Sequence, residues 1–338
     1  MKQSGALAAL LACALYGCSG MRVSDVGSMH VGGRPVTLSG LPIREIVFTA
    51  GAPPFRVDPN GDFETEQMYV QWVKLVSPSG RYPILMIHGG GLTGVTWETK
   101  PDGNPGWQSY FLKAGYDVYV ADAVERGRAS WSRYPEIFKG EPFFRTKKEA
   151  WELFRIGPRD SYATEPPKRT AWPDTQFPVG AFDQFMKQGV PRWATNDVAT
   201  QRAYDELVQK ICPCVIIVHS QGGNFAFNAA LRAPDKIRAI AAIEPSGAPD
   251  PAKTDLGPLK AVPHLFVWGD HLDAHDLWRK ITPAIARYRD GLLAAGSSVT
   301  EIRLPERGMH GNSHMMMMDR NSDEIAGTVK GWLDQAAR

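Results

Sequence analysis

Residues 215–223 read VIIVHSQGG, and this stretch decides the fold. Four apolar β-branched residues are typical of a strand buried on both faces, and the alanine-rich stretch 223–232 that follows has the composition of a helix. A serine on the sharp turn between such a strand and helix is a nucleophile elbow, with its hydroxyl exposed at the carboxyl end of the sheet. Val218 stands where the G-x-S-x-G pattern has its first glycine, so the match is not strict. Ser220 in isolation also suits a helix N-cap, and the surrounding sequence must decide between the two roles.

A glycine-rich loop, HGGGLTG at residues 88–94, follows the apolar run 82–87. Successive glycines expose backbone N–H groups, which hydrolases use together with the N–H after the nucleophile to bind an oxyanion. We therefore expect Gly90, Gly91 and Gln221 to form an oxyanion hole. The alternative, a phosphate-binding loop, lacks both the G-x-x-x-x-G-K-[ST] pattern and G-x-G-x-x-G with an acidic partner.

Candidate acids follow the next two predicted strands. Glu244 ends the apolar run 237–243, while Asp270 and Asp273 follow the strand 263–268. Serine hydrolases of this strand order usually run Ser, then Asp or Glu, then His. Glu244 is delivered directly from a buried strand, where a carboxylate needs a partner such as histidine, so we favour it over the two aspartates of a polar loop.

Two histidines compete for the role of base in the stretch GMHGNSH at residues 308–314, after the last predicted strand. His310 and His314 are four residues apart, so we expect only one to reach Ser220. The residues Gly311, Asn312 and Ser313 favour a turn that presents His314.

The remaining chain alternates between strand-like and helix-like segments. This alternation predicts an α/β fold with a mostly parallel central sheet and helices on both faces. We also expect two opening antiparallel strands at 43–49 and 67–76. The other predicted strands cover 82–87, 117–121, 215–218, 237–243, 263–268 and 299–304, and the predicted helices cover 107–114, 199–210, 223–232, 277–294 and 325–337.

An aromatic-rich segment interrupts the alternation. Residues 131–193 carry 13 aromatic residues and eight prolines with few long periodic runs. A segment of this length and composition is typical of an insertion that packs on its own aromatics. We expect a cap, here called the insertion (residues 126–193), over the carboxyl end of the sheet, with a peripheral subdomain as the alternative.

The first residues have the pattern of an export signal: Lys2 precedes an apolar run, 5–16, that is too short to span a bilayer. Residues 15–19 resemble a bacterial lipobox, which predicts acylation of Cys18. We expect a signal peptide at 1–17, a tether at 18–40 and a catalytic domain at 41–338, hence a periplasmic or outer-membrane-anchored lipoprotein. Cleavage after residues 12–14 with simple secretion, and an uncleaved buried segment, are the alternatives.

Composition argues against a nucleic-acid-binding protein and against a disulfide-rich one. The 338 residues carry 38 basic and 36 acidic side chains, and a formal charge of +2 does not attract nucleic acid. Apart from the cysteines of the predicted signal segment and Cys18, only Cys212 and Cys214 remain, and two cysteines are too few for a disulfide framework. We expect both to be small core residues at a strand entry, with a metal half-site or a strained bridge as alternatives.

Together these motifs resemble the α/β-hydrolase superfamily, and more narrowly a group of secreted bacterial carboxylesterases. The resemblance rests on residues 88–94, 126–128, 219–221, 243–245 and 311–314. It implies a catalytic triad of Ser220, Glu244 and His314 that acts on a small-molecule ester with an apolar part, without a metal or an organic cofactor.

Three other functions remain open at this point. The same triad serves lactonases and amidases, and the fold also has non-catalytic members that bind ligands. A metal-dependent hydrolase is the third possibility, because residues 270–275 (DHLDAH) place His271 and His275 four residues apart.

Overall fold

The computed structural model describes residues 20–337, which form an eight-stranded sheet and a separate two-stranded one. The order in the large sheet is β1-β4-β6-β5-β7-β8-β9-β10, and β2 pairs with β3. The strands are β1 (Val23–Leu38), β2 (Arg44–Ile46), β3 (Phe55–Val57), β4 (Gly61–Leu75), β5 (Ile84–Ile87), β6 (Val118–Asp122), β7 (Cys214–His219), β8 (Ile237–Ile243), β9 (His264–Trp268) and β10 (Val299–Arg303).

Eight α-helices accompany these strands in the described residues. α5 packs against β1, β4 and α6, and α2 packs against α8. The helices are α1 (Val95–Glu98), α2 (Trp107–Lys113), α3 (Lys147–Leu153), α4 (Phe182–Met186), α5 (Asp197–Ile211), α6 (Gly222–Arg232), α7 (Asp276–Ala294) and α8 (Ser322–Ala336).

The six strands from β6 to β10 in the sheet order run parallel, and β4 and β1 are antiparallel additions. Every residue of β5, β7 and β9 is buried, as the apolar runs predicted. Because parallel strands end on the same edge, the loops after β5, β7, β8 and β9 meet there. The predicted mostly parallel α/β fold is confirmed.

The start of the chain differs from the expectation. Residues 23–38 are not a tether: they form β1, which pairs along almost its whole length with β4. Most of β1 is exposed, as suits an edge strand, so it lacks the continuous apolar run by which buried strands are recognised. The predicted strand at 43–49 is reduced to β2, which pairs with β3 and not with β4.

The two body cysteines also differ from the expectation. Cys212 and Cys214 are buried, but they are joined by a disulfide across one intervening residue, at the entry to β7. The bend at Pro213 brings their Cα atoms to 4.4 Å, within the range that a disulfide spans. The expectation of burial was correct, but burial does not show whether two cysteines are free thiols or a disulfide.

The predicted signal peptide and Cys18 lie outside the described residues. Between residues 20 and 337, none of the helices is long and apolar enough to cross a membrane. The insertion lies between β6 and α5 and contains α3 and α4.

Candidate active site

Ser220 occupies the turn between β7 and α6. Its φ angle of 54° lies in the left-handed region, which a non-glycine residue adopts only when its surroundings hold it there. Its N–H donates to the carbonyl of Ile243 at 3.1 Å, which fixes the turn against β8. A Cβ at Gly222 would lie 2.7 Å from the carbonyl oxygen of His88, so the helix can start this close to β5 only with glycine there.

The glycine loop after β5 packs directly on this turn. A Cβ at Gly89 would lie 2.9 Å from Cβ of Ser220, and one at Gly90 would lie 2.8 Å from Oε1 of Gln221. Across residues 20–337, the N–H groups of Gly90, Gly91 and Gln221 donate to no protein acceptor. The structure thus brings these three residues together with free donors, the arrangement that an oxyanion needs.

His314 and Glu244 form a buried pair at the same edge of the sheet. The Nδ1–H of His314 donates to Oε2 of Glu244 at 2.6 Å, and the His314 N–H donates to the carbonyl of Phe154 at 2.9 Å. Both side chains are almost fully buried. The carboxylate therefore fixes the ring orientation and the tautomer in which Nε2 is the basic nitrogen.

No hydrogen bond joins Ser220 Oγ to His314 in the described part of the chain. The two loops are nevertheless in contact, because Nε2–H of His219 donates to the carbonyl of His314 at 2.9 Å and the two rings lie 4.3 Å apart. Hydrogen bonds between nucleophile and base are often long or poorly aligned without substrate. The geometry is that of a base with a free Nε2 beside the serine turn.

Burial and nearby charges set the ionisation of the pair. Burial alone would raise the pKa of Glu244, but the charge of Arg155 and the bonds from His314 and Arg155 outweigh it, so this pKa is lowered. Burial lowers the pKa of His314, and Glu244 offsets only part of that effect. An ionised acid beside a neutral imidazole is the resting state of a general base.

Arg155, from the insertion, contacts the acid of the candidate site, and the sequence did not reveal it. Its Nη2 donates to Oε1 of Glu244 at 2.5 Å and its Nε to the carbonyl of Asp270 at 2.7 Å, while the guanidinium lies 4.9 Å from the ring of Trp278. Gly269 N–H completes the shell of Glu244 at 2.7 Å. A buried carboxylate needs several donors to remain charged. The predicted burial of Glu244 was therefore a signal that the fold must supply a cation beside it.

A second buried carboxylate holds the loop that carries His314. Asp319 accepts bonds from the Ser313 N–H at 2.8 Å, the Ser313 hydroxyl at 2.7 Å and Nδ2 of Asn312 at 3.0 Å. Burial, partly offset by these bonds, raises the pKa of Asp319 to about 6. The turn-forming residues before His314 are thus fixed by the side chain of Asp319, which no sequence motif indicated.

The competing acids and histidines lie elsewhere. Asp270 accepts the Gly311 N–H at 3.0 Å and lies 3.5 Å from Nδ1 of His310, which is 59% exposed. Asp273 is exposed. Among the described residues, neither Asp270 nor His310 forms a hydrogen bond or ion pair with His314.

The possible metal ligands divide into two places. His275 accepts the Leu277 N–H at 3.1 Å and caps α7. Among the described residues, Asp174, Asp270 and His271 have ligand atoms within 4.8 Å of one another. His271 stacks on Trp172 and bonds to Asp174, so this group includes the insertion and excludes His275.

The insertion also encloses a small cavity beside the glycine loop, of about 70 Å³. Its lining is mostly apolar, with one arginine. The lining residues are Gly91, Leu92, Phe144, Arg145, Phe154, Phe185, Met186, Gly189 and Val190.

A parallel sheet with a serine elbow, a glycine loop and a buried acid–histidine pair at its carboxyl edge defines the class of α/β-hydrolases. No family model matches the chain. The solved structure of a novel bacterial esterase is 35% identical, covers 94% of this chain and 98% of its own, and superposes with a TM-score of 0.80. A probable secreted lipase, phiG, of Fungal sp. (strain ATCC 74256) is 29% identical over 81% of this chain and 88% of its own length. The chain belongs to the α/β-hydrolase superfamily of esterases, and the protein is a carboxylic ester hydrolase.

Proposed function

We propose that the protein cleaves carboxylic esters through an acyl-enzyme, with Ser220 as nucleophile, His314 as general base and Glu244 as the acid. Nε2 of His314 takes the hydroxyl proton as Ser220 Oγ attacks the ester carbonyl. Gly90, Gly91 and Gln221 donate their N–H groups to the resulting oxyanion. The proton then passes to the departing alkoxide. A water molecule activated by the same imidazole then hydrolyses the acyl-enzyme and releases the carboxylic acid product.

One observation carries this proposal: a neutral, oriented imidazole lies beside a serine held at positive φ, next to three free N–H donors. A non-catalytic member of the fold that only binds a ligand would not need the oriented imidazole, the serine at positive φ and the free N–H donors together. Each oxyanion donor is worth roughly 3 kcal/mol of barrier in comparable enzymes, so free N–H groups in this position favour turnover over binding.

The test is Ser220→Ala, with Ser298→Ala, an exposed serine, as the matched control. We expect Ser220→Ala to lose on the order of 10⁴-fold in kcat with an unchanged melting temperature. Covalent labelling by a serine-directed phosphonate, located by mass spectrometry, should require Ser220. Residual activity within tenfold of the parent, or a label on another serine, would refute the mechanism. Matched lactone and anilide substrates in the same assay separate an esterase from a lactonase or an amidase.

We propose further that the protein is exported and that Cys18 is acylated. The support is the apolar run 5–16, the lipobox-like residues 15–19 and the similarity to a probable secreted lipase. Cys18→Ala should move the protein from the membrane fraction to the soluble exported fraction. An unmodified N-terminal peptide by mass spectrometry would exclude the lipid anchor.

A further inference from the structure

Arg192, at the end of the insertion, lies against the glycine loop. Its Nη1 would be 2.8 Å from a Cβ on Gly90, the same distance as Oε1 of Gln221. The backbone there is fixed, because Val190 N–H donates to the carbonyl of Gly91 at 3.0 Å and Arg192 exchanges two backbone bonds with Phe143. A guanidinium is therefore held beside Gly90, one of the proposed oxyanion donors, and close to the side chain of Gln221.

Arg126, which follows β6, is a second guanidinium in this region, and it is only 4% exposed. Its Nε and Nη1 are enclosed and have no hydrogen-bond partner. Burial, and next the charge of Arg192, lowers the pKa of Arg126 to about 10, so Arg126 stays charged at neutral pH and lies close enough to Arg192 for the two side chains to repel. A buried charge without a partner is strongly unfavourable, which makes this pair unusual.

The other arginines around the site are compensated. Arg155 pairs with Glu244, and Arg145, on the apolar cavity, pairs with Glu149. Within residues 20–337, neither Arg126 nor Arg192 forms an ion pair. The charge of Asp197 acts on Arg126 but forms no ion pair with it, so neither guanidinium has a carboxylate of the described chain in direct contact.

We propose that Arg126 and Arg192 bind a free carboxylate of the substrate, so that the preferred substrates are esters that also carry a carboxylate. This inference rests on the proposed function, because it assigns the substrate class of the same site. A planar guanidinium matches a carboxylate in a two-bond geometry, and the apolar cavity nearby suits a hydrocarbon segment between the two ends of such a half-ester.

Two pairs of esters, matched in length, test the proposal. Monoethyl adipate against ethyl hexanoate places the charge in the acyl part, and 6-acetoxyhexanoate against hexyl acetate places it in the alcohol part. We expect the parent enzyme to favour the charged member of at least one pair by tenfold or more in kcat/KM. Arg192→Gln should remove most of that preference by raising KM for the charged ester more than for its neutral partner. Arg159→Gln, an exposed arginine, is the control.

Arg126→Gln should act in the same direction, and its melting temperature shows whether the buried site still folds. Calorimetric binding of adipate to Ser220→Ala measures the same contact without turnover, and Arg192→Gln in that background should weaken it tenfold or more. Preference for the neutral member in both pairs would overturn the proposal. An equal fall in kcat for charged and neutral esters in Arg192→Gln would also overturn it, since Arg192 would then act on the oxyanion. Activity retained by Ser220→Ala would refute the mechanism instead, leaving adipate binding as a separate readout.

Discussion

Nη2 of Arg155 lies 2.5 Å from one carboxylate oxygen of Glu244, and Nδ1 of His314 lies 2.6 Å from the other. A residue of the insertion and the proposed base therefore share one buried carboxylate. Because the guanidinium keeps Glu244 ionised despite its burial, it also controls how strongly the acid attracts the imidazole proton. The insertion is thus tied to the chemistry of the site, and a truncation that removed it would disturb more than a binding surface.

Arg155→Met should lower kcat by about 10–100-fold, the loss typical when a residue that orients an active-site side chain is removed. It should also destabilise the fold by ~3–5 kcal/mol, because Glu244 loses its buried countercharge. The charge of Arg155 lowers the pKa of His314, so its removal raises that pKa and moves the acid limb of kcat/KM to higher pH. A pH profile identical to that of Arg159→Gln and the parent would mean that Arg155 has a structural role only.

The sequence predicted the parts of this molecule that depend on local pattern. The run 237–243 became β8 with the same bounds, and the strand-turn-helix at Ser220 formed as expected, because an apolar run and a glycine turn each encode their own geometry. Arg155 and β1 escaped prediction for the opposite reason. The local sequence does not show whether an arginine is buried or exposed. The polar edge strand β1 is held by hydrogen bonds to β4, so it has no apolar pattern by which to predict it.

His314, and not His310, should be the base. His314→Ala should lose on the order of 10⁴-fold in kcat, because proton transfer from Ser220 stops. His310 is 59% exposed and lies near Asp270, so His310→Ala should remain within a few-fold of the parent. Both variants need the same assay with a melting curve as a folding control. An inactive His310→Ala beside an active His314→Ala would reverse the assignment.

Asp319 should make stability depend on pH with an unusual sign. Its pKa is about 6 when folded, against an ordinary 3.8, so the folded protein binds the proton more tightly than the unfolded chain does. The contribution of Asp319 to stability is therefore present below pH 4 and is lost as pH rises to about 6, by roughly 3 kcal/mol. Urea unfolding from pH 3.5 to 7.5 should show this loss in the parent and in Asp235→Asn, an exposed control, but not in Asp319→Asn. Parallel curves for all three proteins would contradict the assignment.

Two side chains at the apolar cavity, Phe144 and Met186, should select the apolar part of the substrate. Point variants are the suitable test, because Arg155 ties the rest of the insertion to Glu244. Phe144→Ala and Met186→Ala should raise KM for a long-chain ester more than for an acetate ester, since each removes apolar contact area. Phe48→Ala, an exposed phenylalanine, should change neither. An equal rise in KM for both esters would favour an insertion without substrate contact.

The acid of the triad should be Glu244 and not Asp270 or Asp273, although the position after β9 is the commoner one for an acid in this superfamily. Glu244 is fully buried and bonded to His314, whereas Asp270 bonds to the Gly311 N–H and Asp273 is exposed. Glu244→Gln keeps the shape but removes the charge, and an amide NH2 facing Nδ1 of His314 would favour the other tautomer of the imidazole. We expect a loss of roughly 10³–10⁴ in kcat, judging by the equivalent change in a serine protease. Asp270→Asn should have a smaller effect, through the loop at Gly311, and Asp273→Asn should have none. If Glu244→Gln kept near-normal kcat while one of the aspartate variants lost activity, the acid would follow β9, and the carboxylate bound by Arg155 would be a structural group.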